Sequence, residues 1–279
     1  MRRTDIRLPD ELAQRVREMI AGDRQPAAPR DAATVVLLRP GGRDFDVYLL
    51  RRRRSMAFAP GAHVFPGGSV DPRDADADLA WAGPDAAAWG RVLNGPQELA
   101  RALVCAAVRE TFEESGVLLA GAAPDAVVAD TRGDDWEADR RALIDRSLSL
   151  AGLLQRRGLV LRSDLLRPWA RWITPELESR RFDTRIFAAA LPAGQRTRDV
   201  GGEADEVVWL SPNAAIAAAR RGEILLMPPT AVTLAELARH DTAPAALAAP
   251  PDMAPRQPGI SVSGDTAWLT IPEGLEYPL

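Results

Sequence analysis

The sequence contains no lysine, so all 35 of its basic residues are arginine. It has one cysteine, Cys105, which excludes a disulfide within the chain and a thiolate zinc cluster and fits a reducing, cytoplasmic setting. There are only two histidines, His63 and His240, so a histidine-rich metal site or a Ser-His-Asp triad would have to use one of them. No apolar run reaches the roughly eighteen residues of a transmembrane helix, and no membrane partner is expected. The opening MRRTDIRLPDEL has basic residues with no apolar stretch behind them, so it does not read as a secretory leader. Repeats of solenoid period are lacking too. A net charge of −4 gives no basic excess for general nucleic-acid binding. The lysine-free composition reads first as the mark of a GC-rich bacterial genome. Guanidinium forks also suit phosphate, and only their placement can support that second reading.

What is present describes an ordinary globular chain. Its 279 residues suit one large domain better than two small ones. An amphipathic helix is expected over Pro9–Ile20, then a Pro/Ala/Arg linker over 22–32. Ala33–Arg39 and Asp46–Arg51 are β-branched and apolar and predict a hairpin about a turn at 40–44. Residues 71–97 are rich in Asp, Ala, Pro and Gly and predict an irregular or partly helical segment. A helix is expected from Pro96 to Ser115, stopped by Gly116. Helices follow at 134–157, at 212–221 and near 230–239. Strands are expected at Thr184–Leu191 and Glu206–Leu210, a loop over 240–256, and a final hairpin turning at Gly264-Asp265. Strands and helices mix without βαβ alternation, which predicts an α+β or α/β/α layered fold with a mixed sheet. The expected organisation is a helix and linker over 1–30, a main domain over 31–245, and a C-terminal loop and hairpin over 246–279 packed on that domain.

The most informative segment is AAVRETFEESGV, residues 106–117. On a helix Glu110, Glu113 and Glu114 stand at i, i+3 and i+4 and share a face. Like charges there repel, and they occupy the last turn, where the helix dipole disfavours anions. A divalent cation would reverse both penalties, and converging carboxylates suit Mg²⁺ or Mn²⁺. Val104, Val108 and Phe112 form the opposite, apolar face. Leu103, Ala106 and Ala107, one turn earlier, are expected to leave room above the helix. Arg109 can orient the carboxylates around it.

Residues 109–117, RETFEESGV, resemble the second half of the Nudix box, with Thr111 where an aliphatic residue is usual. The first half of the box starts at a glycine 14 residues before the arginine. Here FPGG (Phe65–Gly68) looks like that start, but Gly68 lies 41 residues before Arg109. The box is therefore split by about 27 extra residues. Counted back from Arg109, its first-half glutamate would fall on Arg101, and the nearest acid, Glu98, is out of register. Together PGAHVFPGG, CAAVRETFEESGVLL, WARWITPELESRRFDTRIFAAAL, EVVWLSP and MPPT resemble the subgroup of Nudix hydrolases typified by a peroxisomal coenzyme A diphosphatase, over roughly residues 33–240.

This resemblance implies a Nudix α/β/α sandwich with a mixed central β-sheet between helices and a long insertion, 69–97, inside the box. It implies metal-dependent hydrolysis of a nucleoside diphosphate-linked substrate with Mg²⁺ or Mn²⁺. Coenzyme A or acyl-coenzyme A stands first, giving 3′,5′-ADP and (acyl-)4′-phosphopantetheine. ADP-ribose, NADH or capped RNA are the alternative substrates, and a non-catalytic nucleotide sensor is the alternative class. The metal-ligand role carries over to Glu110, Glu113 and Glu114. The general base is one of these or Glu206, from the acidic group Glu203, Asp205 and Glu206. Substrate contacts are expected from Arg52, Arg54, His63, Phe65, Pro66, Gly67 and Gly68. Ala57 stands where the coenzyme A signature has arginine. Trp169, Trp172, Arg180 and Arg181 would wall a base or pantetheine, although tryptophans at this spacing more often belong to a core. The partner is a small molecule, nucleic acid is not expected, and a homodimer is allowed.

Overall fold

The computed structural model describes residues 5–22, 25–41, 44–55, 59–75, 79–198, 204–264 and 266–279. The chain opens with β1 (Asp5–Arg7) and α1 (Asp10–Ile20). It continues through β2 (Arg30–Pro40), β3 (Phe45–Arg52), β4 (Ala62–Val64) and β5 (Gly67–Ser69), then a 3₁₀ turn over Pro72–Ala75. Next come β6 (Trp81–Ala82), α2 (Ala86–Leu93), α3 (Gln97–Ser115), β7 (Ala120–Gly121), α4 (Asp134–Ile144) and α5 (Leu150–Arg157). After β8 (Val160–Arg162) run β9 (Arg167–Ile173), β10 (Phe182–Ala190), β11 (Ala204–Leu210) and α6 (Pro212–Arg220). The last elements are β12 (Leu225–Leu226), α7 (Pro228–Leu237), α8 (Ala243–Leu247), β13 (Asp252–Arg256), β14 (Gly259–Ser263) and β15 (Thr266–Thr270).

A nine-stranded mixed sheet lies at the centre, in the order β12-β4-β3-β2-β10-β9-β13, with β11 beside β3 and β5 beside β2. Three of its pairings are parallel: β2 with β10, β4 with β12, and β9 with β13. Alternate residues of β2 and β10 serve two cores. Val35, Leu37, Phe187 and Ala189 face α2, α3 and α5. Val36, Leu38, Ile186 and Ala188 face α6, α7 and α8. Both faces are thus covered by helices, which is why residues 35–38, VVLL, are apolar throughout. The α/β/α sandwich expected from the sequence is the observed fold.

Several local expectations change. The β2–β3 hairpin pairs only from Leu38–Val47 to Pro40–Phe45, because β5 takes the first half of β2. Part of its turn, 42–43, lies outside the described residues, as does Asp265 of the last turn. Residues 240–256 are not simply loop: they hold α8 and the edge strand β13. Pro255 is tolerated there because an edge strand has one side without ladder bonds. The N-terminal helix does not stand alone. The short strand β1 ahead of it pairs with β15, and Leu8, Ala13 and Val16 share a small core with Leu177 and Ala267. The segment 71–97 is partly helical, as one expectation had it, with a 3₁₀ turn and α2, and it also holds β6, which joins β8 and β7 in a small sheet.

Candidate active site on the carboxylate helix

Helix α3 runs over Gln97–Ser115 and ends at Gly116 in the left-handed conformation, φ 75°, as the stop signal required. Val104, Val108 and Phe112 are buried beneath it. Leu103, Ala106 and Ala107 are buried too, so these residues leave no room above the helix and instead allow close packing. The turn that carries the acids keeps access to solvent, with Glu110, Glu113 and Glu114 each half-buried.

Arg109 organises that turn. Its Nε and Nη2 donate to the two oxygens of Asp74, each at 2.9 Å, and Nη2 also donates to Ser69 O at 3.0 Å. Nη1 donates to Glu110 Oε1 at 2.7 Å and to Glu113 Oε1 at 3.2 Å. Burial works against the guanidinium charge, but its bonds to Asp74 and the charges of Glu110, Asp74 and Glu113 outweigh it and hold the arginine protonated. Glu114 is fixed differently: its Oε2 accepts from Gly67 N at 2.8 Å. Gly68 lies against Glu110, and a Cβ on it would fall 2.4 Å from Oε1. The FPGG segment is thus glycine where strand β5 meets the acids.

Burial pushes the Glu110 carboxyl up to about 7; Arg109 opposes this and Glu113 reinforces it. Burial also raises Glu113, against Arg109. Both carboxylates keep 13% of their side-chain surface exposed, a path by which an ion could reach them.

The four carbonyls at the end of α3 all have donors. Gly116 N meets Phe112 O at 2.9 Å and Arg198 N meets Ser115 O at 3.0 Å. Arg140 Nη1 meets Glu113 O at 2.7 Å, and Tyr48 Oη meets Glu114 O at 3.3 Å. The helix has no basic residue in its own last turn, so the cation at its negative end comes from α4.

Among the described residues no three acids, histidines or cysteines converge as a ready-made metal site. Arg109 draws Glu110 and Glu113 to itself, and the Gly67 amide draws Glu114. The residues nevertheless fit a hard divalent ion: three oxygen donors on one helix face, two of them with raised carboxyl pKa values, beside a side-chain-free cradle at Gly68.

Counted forwards, the box has an acid in its first half. Asp74, the sixth residue after Gly68, occupies the place of the first-half acid and bonds the box arginine. Counting back from Arg109 misplaced it, because the extra residues follow position 74 rather than precede it. Arg101 instead stacks on Trp81 within the inserted segment, 5.2 Å from the ring centroid.

The remaining candidates scatter. Glu206 is exposed and ion-paired with Arg51 at 2.6 Å across β3 and β11. Glu203 lies outside the described residues, as do Ala57 and the side chain of Asp205. His63 and Pro66 are buried in and beside β4, and Phe65 belongs to the core under α6 and α7, so its ring is a packing group. Arg54 is exposed and Arg52 half-buried at the end of β3. Trp169 and Trp172 are core, as tryptophans at this spacing more often are, and Arg181 is buried with them rather than forming a wall. Trp169 donates to Glu236 and packs on His240, Trp172 is buried, and Arg181 bonds Thr174 O and Ala27 O. Arg180 is exposed.

A family model described as the NUDT19 Nudix domain matches residues 85–239. The chain is 29% identical over 258 residues to the acyl-coenzyme A diphosphatase NUDT19 of Gallus gallus, covering 75% of this chain and 68% of that protein. It is 31% identical over 242 residues to the Homo sapiens protein of the same name, covering 71% and 62%. The chain therefore spans about two thirds of the length of these relatives. The crystal structure of a NUDIX hydrolase from Alicyclobacillus acidocaldarius superposes with a TM-score of 0.69 at 29% identity, over 81% of this chain and 98% of that one. No described helix is long and apolar enough to cross a membrane. With the helix, the glycine strand and the arginine-centred carboxylates in place, the chain belongs to the Nudix hydrolases, in the group defined by the NUDT19 Nudix domain.

Proposed function

We propose that this chain hydrolyses the diphosphate of coenzyme A or acyl-coenzyme A, releasing 3′,5′-ADP and 4′-phosphopantetheine or its acyl form. The observation that carries the reading is the arrangement of Glu110, Glu113 and Glu114 around Arg109 and the bare backbone of Gly67-Gly68. The substrate class is supported by the relatives named acyl-coenzyme A diphosphatase.

Glu110, Glu113 and Glu114 would hold Mg²⁺ or Mn²⁺, a Lewis acid that neutralises phosphate charge and makes water a better nucleophile. Arg109 bonds Oε1 of Glu110 and of Glu113, and its other donors hold Asp74. Gly67 and Gly68 let a phosphate approach the backbone closely. Arg52 and Arg54, at the end of β3, would meet the substrate's further phosphate. In the reaction a water oxygen bonds to one phosphorus, the bridging P–O bond breaks, and the water proton passes to a carboxylate. Glu110 is one candidate for that carboxylate. Glu206 is the second candidate base, and the Glu110→Gln and Glu206→Gln variants separate the two.

The sensor reading loses its support, because Asp74 fills the place that Arg101 left open. Chromatography of products from coenzyme A, ADP-ribose, NADH and capped RNA, with Mg²⁺ or Mn²⁺ and with chelator, tests the proposal. Metal-dependent release of 3′,5′-ADP, faster than cleavage of the other compounds, is expected. Preferential cleavage of another compound would remove coenzyme A, and no cleavage of any would remove the catalytic reading.

A further inference from the structure

We propose that Arg140, on α4, is a positioning residue for the carboxylates of α3, acting through the main chain of Glu113 with Glu137 as its anchor. The inference rests on the proposed metal role of that helix turn.

Three acids at the negative end of a helix make its last turn the one most prone to fray. Glu113 and Glu114 belong to that turn, so fraying would carry two of the three carboxylates out of place. Arg140 opposes this at Glu113 itself: its Nη1 donates to Glu113 O at 2.7 Å, and its side chain is only 5% exposed. A buried guanidinium needs its other donors satisfied. Nε and Nη2 of Arg140 meet the two oxygens of Glu137 at 2.9 and 2.8 Å.

Glu137 also reaches the same helix end by a second route. Its Oε2 accepts from Arg198 Nη1 at 2.8 Å, and the Arg198 main-chain N–H caps Ser115 O. Arg198 Nη2 donates to Thr131 O, and Thr131 Oγ1 donates to Gly116 O. The aliphatic part of Arg198 lies over Gly116, where a Cβ would stand 2.6 Å from its Cγ. One carboxylate thus ties two of the four terminal carbonyls through two arginines from separate elements. In these contacts both arginines meet main-chain atoms or Glu137, and neither bonds the side chains of Glu110, Glu113 or Glu114.

The test uses the full chain and Mn²⁺ alone as the probe. Free Mn²⁺ is followed by electron paramagnetic resonance during titration of wild type, Arg140→Met, Arg140→Lys and Glu137→Gln. Turnover of coenzyme A and amide hydrogen exchange are measured beside it. Arg140→Met is expected to weaken Mn²⁺ binding about tenfold, within the range for groups that support metal ligands. It should lower kcat with KM within twofold and speed exchange in the last turn of α3 alone. Arg140→Lys, which keeps the charge and can reach the carbonyl but cannot fork, is expected to recover part of the loss. Glu137→Gln should fall between. Folded variants whose Mn²⁺ affinity and kcat stay within twofold of wild type would overturn the proposal, as would a loss no larger than the unfolded fraction explains. If Arg140→Met does not fold, Arg140→Lys and Glu137→Gln decide by the same criteria. A wild-type chain that binds no Mn²⁺ sinks the metal reading itself, and the role of Arg140 with it. Binding by wild type with unaffected variants sinks only the latter.

Discussion

A methyl group added at Gly68 would fall 2.4 Å from Glu110 Oε1, 2.6 Å from Cδ and 2.8 Å from Oε2. The φ of Gly68 is outside the left-handed region, so alanine strains no backbone there. The obstacle is the carboxylate alone, the far end of a flexible side chain. Relief requires Glu110 to move by about 1 Å, a displacement that can cost on the order of a hundredfold in rate when it misplaces a reacting group. That factor corresponds to about 2.7 kcal/mol in the barrier. The folded state should lose less than about 1 kcal/mol, because the side chain can swing aside. Gly68→Ala is therefore expected to lose about two orders of magnitude in kcat for coenzyme A, with Tm shifted by no more than about 5 °C. Gly67→Ala is the contrast, since its Cβ would stand 2.5 Å from Ala33 O and 2.7 Å from Thr34 Cα, both fixed main-chain atoms. That variant should lose stability as well as activity. Product chromatography and thermal unfolding measure the two effects. A Gly68→Ala enzyme with wild-type kcat would refute the reasoning, since it would remove Glu110 from the chemistry.

Glu114→Gln keeps an oxygen for the Gly67 amide and should leave circular dichroism unchanged while turnover falls at least about a hundredfold; wild-type turnover would take this glutamate out of the mechanism. Asp74→Asn removes the charge that Arg109 grips with two bonds and should cost about 3 kcal/mol in denaturant unfolding; a loss below about 1 kcal/mol would show that Glu110 and Glu113 suffice for the arginine. The hydrogen bond from Arg140, aided by those from Arg141 and Arg198, holds Glu137 down at about 2, against an ordinary value of 4.5. A carboxyl lowered in the folded state contributes stability that is full above its unfolded pKa and lost as pH falls through the folded one. Wild type should therefore lose stability between about pH 5 and pH 2 more steeply than Glu137→Gln, and equal slopes would contradict that assignment.

Much of this site was legible in local sequence. The spacing of Glu110, Glu113 and Glu114 puts them on one helix face whatever surrounds them, because the helical period is a local property. Gly116 ends α3 because glycine enters the left-handed region without cost, again a local matter. Phe65 was not legible in this way, because an aromatic beside a site and one beneath it have the same neighbours in sequence. The fold placed it in the core under the far face of the sheet, with Trp169, whose spacing from Trp172 already favoured a core. Asp74 could have been found by counting forwards from Gly68, but its bonds to Arg109 span 35 residues of chain. No periodicity reaches across a separation of that length.

The sequence by itself determined the carboxylate face, its helix stop and the burial of β2, since each follows from residue type and short-range geometry. Only the tertiary structure decided which acid the box arginine grips, that β1 and β15 join the two ends of the chain, and that Arg140 and Arg198 close the end of α3. Those pairings depend on which distant side chains can leave water together, and a buried guanidinium accepts only partners that the fold brings within about 3 Å.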